Sequence, residues 1–185
     1  GKTAHGSRPW LGENAIVKLW DAYGEIQKIF QGENFKQKDH WHPTINIGTI
    51  NGGDTINKVP DFATMGLDIR FTEKYDLSGL KNRIEKAIKG KAKIIDAKDG
   101  ELLSSDKNDP LIQQYQAVMS KELKKKVQLT GEHGASDARY FSKFNIPIMI
   151  HNPKGGNCHA DDEWADAKSM ANVLSGWKRF LTGLE

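Results

Sequence analysis

The sequence predicts an α/β chain in two parts: an antiparallel βαββαβ half, then a piece of a parallel α/β sheet. Three observations carry this expectation. Phe62 to Phe71 alternates apolar and polar residues with the two-residue period of a strand buried on one face. Helical apolar spacing precedes and follows the strand patterns of the first half. In the second half, short strand-sized apolar runs alternate with helical patterns, as in a parallel sheet with crossover helices.

Each element follows from local chemistry. Lys2 to His5 reads as the tail of a strand. Asn14 is placed to cap a helix in which Ile16, Leu19, Trp20, Tyr23, Ile26 and Phe30 recur at helical spacing. A polar stretch with Pro43 leads to a strand over Thr44 to Ile50, where Ile45, Ile47 and Thr49 alternate with Asn46 and Gly48. Asn51-Gly52-Gly53-Asp54 has turn chemistry. In the next strand Ala63, Met65, Leu67, Ile69 and Phe71 form the buried face, and Thr64, Gly66, Asp68 and Arg70 the polar one. Leu77, Leu80, Ile84 and Ile88 mark a second helix, and Ala92 to Ala97 is expected to close the sheet. Both helices then lie on one face of an antiparallel sheet.

In the second half, Asp109-Pro110 supplies a cap and a first-turn proline. Leu111, Ile112, Tyr115, Val118, Met119 and Leu123 form the stripe of the helix that follows. Val127 to Leu129 and Ile146 to Ile150 read as strands around a short helix near Ser136 to Lys143. Asp166 caps a last amphipathic helix carrying Met170, Leu174, Trp177 and Leu181. This half holds too few strands to close a core, so the rest of its sheet is expected in sequence outside this chain.

Composition narrows the function. The 185 residues suffice for one ordinary domain or two small ones, and 28% of them are charged. Neither an apolar run of bilayer length nor a signal-peptide pattern occurs, so no membrane partner is expected. The net charge of +3 has no focus. The one dense basic run, Lys121 with Lys124 to Lys126, ends a predicted helix where cations suit the dipole, so no nucleic-acid partner is expected. A single cysteine, Cys158, excludes an internal disulfide and a multi-cysteine zinc site, and it fits a reducing, cytoplasmic compartment.

Three patterns could carry chemistry. His5 ends a strand and enters the Gly6-Ser7-Arg8-Pro9 loop, free to point into a cleft or simply exposed. Gly52-Gly53, Asn57, Pro60 and Asp61 lead to Asp68-Ile69-Arg70. Arg70 on the polar face can grip a carboxylate through two parallel hydrogen bonds, or merely pair with Asp68. Gly131 to Asp137 and Pro153 to Glu163 are glycine-rich loops after strand-like runs, where α/β sheets place ligands. His159 stands beside Asp161, Asp162 and Glu163, but neighbouring carboxylates rarely converge and zinc needs about three protein ligands. His159 therefore reads as one ligand of a larger site.

In this order, the patterns resemble the co-catalytic zinc metallopeptidases of family twenty: aminoacylase, carboxypeptidase G, succinyl-diaminopimelate desuccinylase and acetylornithine deacetylase. The likeness covers the chain and rests on His5, Pro9 and Asn14-Ala15, then Gly52-Gly53, Asn57-x-Val59-Pro60 and Asp68-x-Arg70. It ends on Gly134-Ala135-Ser136-Asp137 and His159-x-Asp161-x-Glu163. The resemblance implies a ferredoxin-like lid and dimerisation domain at 1–99 and the C-terminal part of a zinc-exopeptidase catalytic domain at 100–185. It implies His159 as a zinc ligand, Asn57 and Arg70 on substrate polar groups, and Gly134, Ala135 and Ser136 lining the pocket. His5 would stabilise the oxyanion in the partner subunit of a homodimer. The cofactor implied is two zinc ions per intact chain, with cobalt or manganese as substitutes. Substrates implied are small carboxylate-bearing amides: dipeptides, N-acyl amino acids or succinyl-diaminopimelate. Two departures stand out. His133-Gly134-Ala135 replaces the family's Gly-Gly-Thr-like run, and the other zinc ligands and general-base glutamate are absent from the chain. The fragment alone is therefore expected to be inactive. The alternative is a ferredoxin-like ligand-binding or dimerisation module without catalysis.

Overall fold

A computed structural model describes residues 1–32 and 41–183. Most of the polar stretch expected ahead of Pro43 lies outside the described residues. The chain forms two compact units, Gly1–Asp99 and Gly100–Glu185.

In the first unit, β1 (Ala4–His5) leads through a 3-10 turn at Pro9–Leu11 into α1 (Ala15–Ile29). The Asn14 side chain accepts from the Ile16 and Val17 amides, satisfying donors that no helical carbonyl can reach. After β2 (Thr44–Gly52) come β3 (Lys58–Val59), β4 (Ala63–Arg70) and α2 (Leu77–Ile88). β2 and β4 pair antiparallel, with a bulge at Gly48 between the Ile47 and Thr49 rungs. The bulge breaks the alternation expected for this strand, and Ile50 ends up exposed. β1 and β3 form a separate two-stranded pair.

The core of this unit gathers Ala22 and Ile26 from α1 and Phe30 just after it with Leu80 and Ile88 from α2. Ile45, Leu67, Ile69 and Phe71 pack against it, so the expected inner face of β4 is the inner face. Ile16 and Trp20, expected on the helix stripe, are exposed instead. Ala22 takes their place because the packed face lies about a third of a turn further round the helix. Ala92 to Ala97 forms no strand. The Ala92 amide still reaches back to the Ile88 carbonyl, no rung pairs the segment, and Ile95 is exposed.

In the second unit, α3 (Pro110–Glu122) is capped by Asp109, whose side chain accepts from the Leu111 and Ile112 amides. A 3-10 stretch, Asp137–Phe144, stands where a short helix was expected. The pair β5 (Gly155–Gly156) and β6 (Trp164–Ala165) follows, then α4 (Ala167–Thr182), capped by Asp166. Tyr115 and Met119 of α3 pack on Phe180 and Trp177 of α4.

The two strands expected in this unit do not form, and side chains bond part of their backbone instead. The Val127 amide donates to Ser120 Oγ at 3.0 Å, and Gln116 Nε2 donates to the Val127 carbonyl at 2.7 Å. The Ile148 amide donates to Ser105 Oγ at 2.8 Å. On α4, Met170, Leu174 and Leu181 are exposed rather than packed; Val173, Trp177 and Phe180 face the core.

Candidate active-site residues

The pairing of β1 with β3 brings the backbones of His5 and Asn57 to neighbouring positions. Ala4 opposes Val59, His5 opposes Lys58, and the Gly6 amide donates to the Asn57 carbonyl at 2.6 Å. A side chain on Gly6 would meet the Asn57 backbone, so this approach depends on glycine. The His5 ring is oriented locally. Ser7 Oγ lies 2.8 Å from Nδ1, and the Ser7 amide donates to the same nitrogen at 3.2 Å. A backbone amide can only donate, so Nδ1 is the acceptor and the ring proton sits on Nε2. That Nε2–H is the group His5 can offer to an oxyanion. Asn57 accepts from Thr55 Oγ1 at 2.9 Å through Oδ1, a bond that does not use its amide donors.

Arg70 sits elsewhere. Asn57 belongs to the connection beyond the Gly52–Ala63 rung, whereas Arg70 pairs with Thr44 at the opposite end of β4. At strand rise, the eight residues of β4 separate those ends by about 23 Å. Asp68 holds Arg70 in a fork, Nε to Oδ1 at 2.7 Å and Nη2 to Oδ2 at 2.8 Å. The two residues are next-but-one on the same strand face, as a solvated strand arginine would pair. The guanidinium keeps a second edge, Nη1 with the outer proton of Nη2, that this fork does not use.

In the second unit, Ser136 Oγ accepts from the Ala138 amide at 3.2 Å and so caps the 3-10 stretch. Gly134 and Ala135 are exposed before it, and a side chain at Gly134 would meet nothing within 4 Å. His159 lies in the loop between β5 and β6, exposed, with φ of 67°. Nothing in the sequence pattern foretold this hairpin, since strands of two residues carry no periodicity.

Among the described residues, no group of three or more His, Cys, Asp or Glu is arranged to hold a metal. His159 offers a single imidazole donor; two of its neighbouring carboxylates are engaged within the loop, Asp162 with Asn157 and Glu163 with the His159 amide. The residues present thus fit one part of a metal site. No helix among the described residues is long and apolar enough to cross a membrane.

Residues 1–96 match a family model described as a peptidase dimerisation domain. A probable succinyl-diaminopimelate desuccinylase of Staphylococcus epidermidis is 26% identical over 186 residues, 83% of this chain and 45% of that protein. An acetylornithine deacetylase of Shigella sonnei is 32% identical over 94 residues, 48% of this chain and 24% of that protein. The chain thus spans less than half the length of these relatives. In fold, it resembles a tripeptidase of Staphylococcus aureus, with TM-score 0.73 and 21% identity over 97% of this chain and 48% of that one. It also resembles an M20 family metallo-carboxypeptidase of Sulfolobus solfataricus, with TM-score 0.66 and 17% identity over 98% and 55%.

Proposed function

The chain belongs to the M20 peptidases, whose dimerisation domain its first half matches, and from that membership we propose that it is part of a metal-dependent amidohydrolase. Residues 1–99 are read as lid and dimerisation domain, and 100–185 as the C-terminal part of the catalytic domain. The substrate is a small carboxylate-bearing amide, and the setting is cytoplasmic. The observation that carries this reading is the His5–Asn57 junction, two polar residues at neighbouring positions where β1 meets β3, with His5 Nδ1 engaged by Ser7 so that Nε2 carries the ring proton.

His159 is the metal ligand this chain contributes, with zinc as the metal, and the remaining ligands come from the rest of a full-length enzyme. A bound zinc supplies an activated water and polarises the scissile carbonyl. The chain's own residues do the rest. The His5 Nε2–H donates to the oxygen on which negative charge develops, and Asn57 donates beside it. The free edge of Arg70 takes the substrate carboxylate bidentately, while Asp68 fixes the guanidinium plane. Gly134, Ala135 and Ser136 line the pocket.

The separation along β4 gives this reading a consequence. A dipeptide spans about 7 Å, far less than β4. The His5–Asn57 end and the Arg70 end of one lid therefore serve different substrates, an arrangement that a symmetric dimer with two active sites accommodates. In the full-length enzyme, His5→Ala should leave folding, dimerisation and metal content intact and lower turnover about a hundredfold, the usual cost of one oxyanion donor. Wild-type turnover in that variant would sink the reading.

A further inference from the structure

The acidic run after His159 has so far no role. Two of its members bond back into the loop. Asn157 and His159 both adopt left-handed backbone, φ 57° and 67°, a region uncommon for residues with a Cβ though Asn and His enter it more readily than most. Such strain at two positions of one short loop persists only where the surroundings over-determine it. The β5–β6 pair has just two rungs, too few to hold a loop alone.

Two sets of bonds supply the rest. At the neck, the Asp166 amide donates to the Lys154 carbonyl at 2.8 Å, and the Lys154 amide donates to Ser169 Oγ at 2.7 Å, fastening the hairpin to the first turn of α4. Within the loop, Asn157 Nδ2 donates to Asp162 Oδ2 at 2.8 Å, and the His159 amide donates to Glu163 Oε2 at 3.3 Å. Two backbone turns close between them, Ala160 to Asn157 and Glu163 to Ala160.

We propose that Glu163 is a positioning residue that holds His159 in its left-handed conformation and so fixes the direction in which the imidazole is presented. Asp162 does the same for Asn157, one step further from the ring. Glu163 acts through the His159 backbone and is not itself a ligand. The proposal rests on the reading of His159 as a metal ligand, and its test separates the two.

Hydrogen exchange is followed at the His159 amide in the 185-residue chain, with the buried Met119 amide as the measure of folding. Glu163→Ala should speed exchange at His159 about tenfold and leave Met119 unchanged, and Glu163→Gln, which keeps an acceptor oxygen, should restore protection. In the full-length enzyme the same pair of variants should weaken and then restore metal retention. Exchange at His159 unchanged in Glu163→Ala, or as fast in the Gln variant as in the Ala variant, overturns the proposal. The ligand reading fails separately, when His159→Ala leaves metal uptake by the full-length enzyme unchanged.

Discussion

The guanidinium of Arg70 can serve a substrate only through the edge that Asp68 leaves over. Lysine cannot keep a fork with Asp68 and offer a second fork outward, because an ammonium is a point charge. Arg70→Lys in the full-length enzyme should therefore lose most activity while folding normally, and an amidated substrate should lose comparably with the wild type. If both changes leave turnover untouched, the Asp68 pair is all that Arg70 does. A second residue-scale prediction concerns His151, whose Nδ1 lies 2.9 Å from the Tyr115 hydroxyl. Burial, and then the nearby Lys125, hold the His151 pKa below its ordinary value, and burial pushes Tyr115 up to about 12. A histidine depressed in the folded state binds more protons when unfolded. Its contribution is thus present above the ordinary pKa and lost as pH falls below it. The melting temperature of the second unit should fall from about pH 7 to about pH 5.5, and His151→Gln should flatten that fall. An identical pH dependence in the variant would contradict the assignment.

At the scale of elements, what could be read from the sequence was what is local. Asn14, Asp109 and Asp166 each cap the helix expected of them, because a cap needs only the next three residues. Segments 92–97, 127–129 and 146–150 have strand composition but no ladder. Pairing depends on a partner far along the chain, and the side chains of Ser120, Gln116 and Ser105 bond only the Val127 amide and carbonyl and the Ile148 amide. The close approach of α3 and α4 was equally hidden. Gly176 leaves room for Met119, and a Cβ there would collide with the Met119 sulfur. Methionine is flexible, but Met119 is 0% exposed and packed with Tyr115 and Phe180, so its sulfur moves only by disturbing that cluster. Gly176→Ala should therefore destabilise this unit by about 1–3 kcal/mol in denaturant unfolding, outweighing the gain in helix propensity of about 1 kcal/mol. A stabilised variant would show that the helices can part. Of the proposed site, His5, Asn57 and Arg70 were singled out in the sequence as candidates. Their distribution over the two ends of β4 was not, since it depends on the register of β1 with β3 and of β2 with β4.

For the whole molecule, the roles proposed for these residues would make assembly part of the chemistry. A lid that offers oxyanion donors at one end and a carboxylate clamp at the other suits a two-fold dimer, in which each active site draws on both subunits. The direct measurement mixes two inactive full-length proteins, one carrying His5→Ala and the other His159→Ala. In a mixed dimer, the intact His5 of one subunit meets the intact metal centre of the other. Random exchange should restore about a quarter of wild-type turnover, from one working site in half of the dimers. Mixed dimers that form and remain inactive would contradict the account, because His5 would then act only within its own chain.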